Sequence, residues 1–149
     1  MSPDPYVNGL LDQAMPCKAK LTVPGKIVCV LHARAEARQL ELSPYPSRAV
    51  LKNEIHELIL TAEPEAAPGK VVNRIAYLAF FEVLESGILW VGDRMMVNGR
   101  CLGILAGYDF SHLPNHMNII LKVPQNPQTG FELGLQPGEP VEFVFAGSD

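Results

Sequence analysis

The sequence predicts an all-β, mainly antiparallel protein: a small β-barrel with a minor helical element. Three observations carry this. Asn98-Gly99 sits between two short apolar runs, and Asn-Gly is the strongest short-range hairpin signal because both residues tolerate the positive φ of a type I′ turn. Short runs of β-branched and aromatic residues recur between turn signals at roughly 8–12-residue spacing, the pattern of a barrel or sandwich. Gly103 and Gly107 interrupt one such run, as glycines do at bulges and at the corners of small barrels.

Residues 1–24 contain Pro3, Pro5, Gly9, Pro16 and Pro24. This density of breakers predicts an irregular arm with one helical turn at Leu10–Ala14, ahead of a single β-barrel domain over residues 25–149. Lys26–Arg34 reads as a strand. Its unbroken apolar run, Ile27 to Leu31, predicts burial on both faces. Gln39–Leu42 alternates and is a candidate to pair with it, and Ser43-Pro44-Tyr45-Pro46 is a break. Leu51, Ile55 and Leu58 follow a helical i, i+4, i+7 pattern behind a Ser47 N-cap. Residues 47–61 are therefore read as a short helix running into a strand, with a strand over Ile55–Thr61 as the alternative. Pro64 to Gly69 is a loop. Lys70–Leu84 reads as one long strand with room for a bulge, turned by Ser86-Gly87. Ile88–Val91, Arg94–Val97, Cys101–Tyr108, Met117–Val123 and Pro140–Ala146 complete the strands. Val91-Gly92-Asp93 and Pro137-Gly138-Glu139 repeat one pattern, a Gly-acid turn delivering the chain into a strand. Glycine accepts the positive φ of a type II turn, and Pro137 presets its first central residue.

At 149 residues the chain fits one domain with a full core. Charged residues make up 19% and the net charge is −4. So sparse a charged surface points to a homo-oligomer. No run of Lys and Arg is present, so nucleic acid is not an expected partner. No apolar stretch is long enough to span a bilayer, and the N-terminus lacks the basic start of a signal peptide. A cytoplasmic protein with no membrane partner is expected. Cys17, Cys29 and Cys101 form no C-x-x-C pair and are odd in number, which supports neither a disulfide framework nor a zinc ribbon. Cys29 and Cys101 lie in apolar runs and read as small buried hydrophobes. Trp90 reads as packing, and His32, at a strand end, as a core or edge histidine.

One constellation carries chemistry: Asp109, His112 and His116, spaced D-x-x-H-x-x-x-H, with Asn115 between the histidines. Imidazole and carboxylate suit zinc or iron if they converge. Pro114 breaks any helix that would bring the histidines onto one face. Asp109, Ser111 and Asn115 are also natural turn formers whose side chains bond nearby backbone. His56-Glu57 offers a second acid–base pair, but adjacent residues on a strand point to opposite faces. No G-x-G-x-x-G, Walker-type or G-x-S-x-G motif occurs.

From about Ile55 onward the layout resembles the IIA component of the glucitol/sorbitol-specific phosphotransferase system, a small β-barrel. The resemblance is carried by Leu58–Pro64, Tyr77–Gly87, Gly103–Tyr108 with Pro114, and Leu135-Gln136-Pro137-Gly138-Glu139. It leaves the N-terminal third uncovered. In that family a phosphoryl-accepting histidine lies in an H-x-H stretch on the strand matching Tyr77–Leu84. This chain has no histidine there, so the resemblance implies the barrel and not the phosphotransfer. The chain looks more like a member of an uncharacterised bacterial family with a related barrel.

The reading that follows is a non-enzymatic module that binds a small molecule or a protein through Asp109, His112, Asn115 and His116. The alternative is a metal-binding protein or metal-dependent enzyme with Asp109, His112 and His116 as ligands, joined by His56 or Glu57 from a neighbouring strand. A metal-bound water would then be its nucleophile or base.

Overall fold

A computed structural model describes residues 17–146. The order of strands is β1 (Val23–Val30), β2 (Arg34–Ala35), β3 (Leu40–Glu41), β4 (Ser47–Val50), β5 (Ile55–Thr61) and β6 (Val71–Val72), then β7 (Ile75–Val83), β8 (Gly87–Trp90), β9 (Arg94–Val97), β10 (Arg100–Asp109), β11 (Asn118–Lys122) and β12 (Pro140–Val144). Pairing runs β1-β12-β9-β10-β11-β5-β7, and β7 pairs back with β1, so seven strands form a ring. All pairings in the ring are antiparallel except β11 with β5, which is parallel. β2 extends the ring from β7, while β3–β6 and β4–β8 form separate two-stranded ribbons.

Local turn chemistry sets the register. Asn98 and Gly99 take φ of 51° and 78°, the left-handed values of a type I′ turn, and join β9 to β10. The two Gly-acid turns are built alike. Asp93 N–H donates to Trp90 O and Glu139 N–H to Gln136 O, at 2.9 and 3.2 Å. Each acid also accepts from the first residue of its turn: Trp90 N–H to Asp93 Oδ2 and Gln136 N–H to Glu139 Oε1. The strands they launch, β9 and β12, then pair with each other. Register shifts fall at Cys101/Gly103 and Leu105/Gly107, so the two glycines of β10 do mark bulges.

One core fills the inside of the ring, with Ile27, Leu58, Phe81, Met95, Leu105 and Phe143 among its buried side chains. A second cluster packs the β3–β6 ribbon against the outside, through Leu40, Leu42, Val72, Ile59, Ala106 and Ile120. β5 and β11 are therefore covered on both faces. β1 is not: Ile27 is buried, but Cys29 is exposed. This corrects the expected two-sided burial of Ile27–Leu31, because no second layer covers that side of the ring. Cys101 is likewise exposed and Cys17 half-buried, so Cys29 and Cys101 are not core residues. His32 is exposed and Trp90 half-buried.

Three further expectations are corrected. No helix is found among the described residues, and none there is long and apolar enough to cross a membrane. Residues 47–61 form β4, a tight turn and β5. The Leu51, Ile55, Leu58 spacing is not a helix face, since Leu51 is 60% and Ile55 45% exposed. Asn53 instead turns the chain at φ 78°. Leu40–Glu41 pairs with Val71–Val72 and not with β1. Lys70–Leu84 is two strands, split where Glu63 Oε2 accepts the Asn73 and Arg74 N–H groups at 3.1 and 2.7 Å. The turn of helix expected at Leu10–Ala14 lies outside the described residues.

Lys20, ahead of β1, places its ammonium 3.0 Å from Asp93 Oδ2, and both side chains are buried, 7% and 0% exposed. Burial pushes the Asp93 carboxyl up, against the Trp90 N–H and Lys20, which favour the charge. Removing one partner of such a pair strands the other. Lys20→Ala is expected to destabilise by about 3 kcal/mol in urea unfolding, and Lys20→Met with Asp93→Asn by distinctly less. Equal losses in the two variants would contradict a stranded charge.

Candidate functional site

β5 begins beneath the loop that joins β10 to β11, and two consecutive β5 residues hold that loop. The Met117 N–H donates to His56 Nδ1 at 3.0 Å. Met117 O accepts from the Glu57 N–H at 3.0 Å. This adds one step to the parallel β5–β11 ladder, with the imidazole standing in for a backbone carbonyl. Because His56 Nδ1 accepts, its ring proton sits on Nε2, which faces Glu54 Oε1 at 3.1 Å. Burial pushes His56 below its ordinary range, against the pull of Glu54. The geometry agrees: a second proton at Nδ1 would break the bond to Met117. Glu54 in turn caps the β4–β5 turn by accepting the Leu51 N–H at 2.9 Å.

Glu57 points to the other face, as strand alternation requires, and there meets the side chain of His116. Its Oε1 lies 3.0 Å from His116 Nε2, and the two side chains are 9% and 11% exposed. Burial raises the Glu57 carboxyl, opposed by His116, His112 and Arg38. Phe80, the cross-strand partner of Glu57, packs edge-on against His116 with centroids 5.0 Å apart. The Asn115 amide meets His116 Nδ1 at 2.7 Å. His112 stacks on His116 at 5.1 Å. Arg38 Nη2 meets His112 Nε2 at 2.9 Å and Arg38 Nε donates to the Tyr77 hydroxyl at 3.1 Å. A guanidinium only donates, so His112 Nε2 is the acceptor. A row thus runs from Arg38 through two stacked imidazoles to a buried carboxylate.

Asp109 takes no part in that row. Its carboxylate accepts from the Ser111 N–H at 3.0 Å, the Ser111 hydroxyl, Asn118 Nδ2 at 3.1 Å and the Glu41 N–H at 3.1 Å. Burial opposes its ionisation, but these donors outweigh burial and hold the carboxyl below its usual range. It ties the loop to β3 and β11. His112, Asn115 and His116 come together, then, while Asp109 anchors the loop beneath them. Among the described residues no three His, Cys, Asp or Glu side chains group as metal ligands. Glu57 is the partner that the D-x-x-H-x-x-x-H spacing does not contain. Arg38, Arg48 and Glu54 carry no signal in the sequence at all.

His116 and Asn115 also line an open cleft of about 350 Å³, bounded by Arg48, Glu54, Ile55, His56, Leu113 and Pro114. Arg48 stacks its guanidinium over Phe110, 5.2 Å from the ring centroid. Both ring nitrogens of His116 are engaged, Nε2 with Glu57 and Nδ1 with the Asn115 amide, so the ring is held in one orientation at the cleft wall. The Ser111 hydroxyl donates to Asp109, and no cysteine is among the described residues lining the cleft.

A family model described as a family of unknown function, DUF6917, matches residues 17–144, from ahead of β1 to the last residue of β12. The chain belongs to the DUF6917 family. The match takes in both histidines of the loop, their Glu57 and Arg38 partners, and the Lys20–Asp93 pair. Comparison with curated proteins and with solved structures gives no match.

Two outcomes are expected for this family member. His56 binds a proton less readily when folded than its ordinary value of 6.5 allows when unfolded. Its contribution is therefore whole above about pH 6.5 and is lost as pH falls from there to its folded value. In chemical denaturation, stability should fall between neutral pH and mildly acid pH, with a shallower fall in His56→Gln; identical slopes would remove His56 from the account. Asp109→Ala, which leaves several donors unpaired, should cost about 3 kcal/mol. A loss within experimental error of zero would deny Asp109 its anchoring role.

Proposed function

We propose that this chain is a non-enzymatic binding module that holds a small molecule with an anionic end in the cleft between residues 110–117 and the β4–β5 turn. The observation that carries the reading is Arg48. It lines the cleft together with His116, stacks on Phe110 and makes no ion pair to a carboxylate among the described residues. A guanidinium in that setting suits a carboxylate or phosphate. Ile55 and Leu113, 45% and 42% exposed, offer an apolar wall, and Asn115, held on His116 Nδ1, supplies an oriented amide. Few polar groups on a partly apolar wall is the usual make-up of a ligand cleft.

The ring of seven strands supports reading the scaffold as a small β-barrel of the kind the phosphotransferase resemblance implies. Its β7 brings Phe80, not a histidine, to the site. The metal-dependent alternative is not favoured, since Asp109 is saturated by four donors, none of them a histidine. The sparse charge and exposed apolar side chains support self-association as a further expectation.

The test is an NMR titration of isotope-labelled protein with a panel of small carboxylates and phosphate monoesters. Binding should move the amide signals of residues 48, 54–56 and 113–116, and Arg48→Ala should weaken it about tenfold, equivalent to about 1.4 kcal/mol. Unchanged affinity in Arg48→Ala, or saturable shifts confined to other surfaces, would overturn the proposal.

A further inference from the structure

A second cleft, larger than the first, lies at the opposite end of β5 from the histidine loop. It measures about 600 Å³ and opens between the start of β7 and residues 126–132, within the size range of small-molecule sites. Its charges come in both signs. One wall is Arg34 and Glu132, joined by a two-pronged ion pair, with Arg34 also donating to Pro127 O at 3.3 Å. Hydrogen bonds from Arg34, then from the Thr129 N–H, hold the Glu132 carboxyl down at about 2. That pair is neutral as a unit. Glu36 stands beside Arg34 and adds a net negative charge to this wall.

The facing wall is built differently. Glu63 commits Oε2 to the Asn73 and Arg74 N–H groups, and its Oε1 accepts no described donor. Arg74 gives its backbone N–H to Glu63, and its guanidinium, engaged by no described residue, lines the cleft. Ala62, Pro64, Ile75 and Pro127 form apolar lining between the two walls. The cleft therefore presents one free guanidinium, two carboxylates with capacity to spare, and an apolar floor.

We infer that this cleft is a second ligand site, for a zwitterion of amino-acid type: the α-carboxylate on Arg74, the α-ammonium between Glu36 and Glu63, and an apolar side chain along Ile75 and Pro127. A guanidinium matches a carboxylate through paired N–H donors, and carboxylate oxygens suit the three donors of an ammonium. A simple anion on Arg74 would leave Glu36 and Glu63 without a cation, and a simple cation between those carboxylates would leave Arg74 without an anion. Only a ligand carrying both charges leaves neither wall unmatched. The cleft volume also admits a dipeptide, which keeps both termini but separates them.

The experiment is calorimetric titration of the full chain with L-leucine, L-phenylalanine and L-leucyl-L-leucine. N-acetyl-L-leucine and L-leucinamide, which each lack one charge, are run alongside. Saturable binding of a zwitterion is expected, weakened about tenfold or more when either charge is removed and in Arg74→Ala and Glu36→Gln. Tighter binding of the free amino acids assigns the site to them, and tighter binding of the dipeptide assigns it to peptide termini. The titrations are run in the Arg48→Ala background as well as in the wild type, so that binding of a carboxylate at the other cleft is separated from binding here. No saturable binding of any zwitterion, or binding of the acetylated or the amidated form as tight as that of L-leucine, would overturn the inference. So would full affinity in Arg74→Ala.

Discussion

The structure depends on how the first residues of β5 grip the end of the β10–β11 loop. Met117 gives its N–H to His56 Nδ1 and its carbonyl to the Glu57 N–H. Both backbone groups of a wholly buried residue are thereby satisfied where ladder bonds alone would leave one open, and an unpaired buried N–H is costly. The same step starts the one parallel pairing of the ring. It also sets which side of the loop faces β5, and so brings His116 onto Glu57. The candidate site is a consequence of a backbone need met by a side chain.

Strand alternation then separates the two roles. His56 and Glu57 point to opposite faces, yet both meet the loop because it lies across the end of β5. On one side His56 closes the backbone and relays to Glu54 at the cleft. On the other, Glu57 orients His116, and the Arg38 guanidinium beyond His112 offsets its charge. A buried carboxylate needs such company. The far end of β5 leads to the larger cleft, where Glu63 secures the break between β6 and β7. One strand, covered on both faces by the ring core and by the β3–β6 ribbon, thus places two polar clefts at its two ends.

What was legible in the sequence was local. Asn98-Gly99, the two Gly-acid turns and the bulge glycines of β10 act through φ preferences of single residues, and each appears where its chemistry put it. The strands of the C-terminal half start and stop within a residue or two of their expected bounds for the same reason. Burial was less legible because it depends on which strands receive a second layer. Ile27–Leu31 and Leu58–Leu60 are both apolar runs, but only the second lies under a ribbon, so Cys29 faces outward. The Leu51, Ile55, Leu58 spacing mimicked a helix because three apolar residues can share that spacing across a turn and a strand. The sequence grouped Asp109 with His112, Asn115 and His116 as one site, but Asp109 follows the turn chemistry that competed with that role and anchors the loop instead. The partners of the histidines were not legible: Glu57 lies 59 residues from His116 and Arg38 lies 74 from His112, and no local pattern reports such a meeting.

The central claim is that His56 serves as a backbone acceptor through Nδ1, and it can be read directly. A long-range 1H–15N spectrum of the histidine rings at neutral pH separates the two neutral tautomers from the imidazolium. The account predicts His56 neutral, with its proton on Nε2 and Nδ1 accepting. A proton on His56 Nδ1, in either the neutral or the charged ring, would contradict it, because the buried Met117 N–H would then have no acceptor and Glu57 alone would hold the loop to β5.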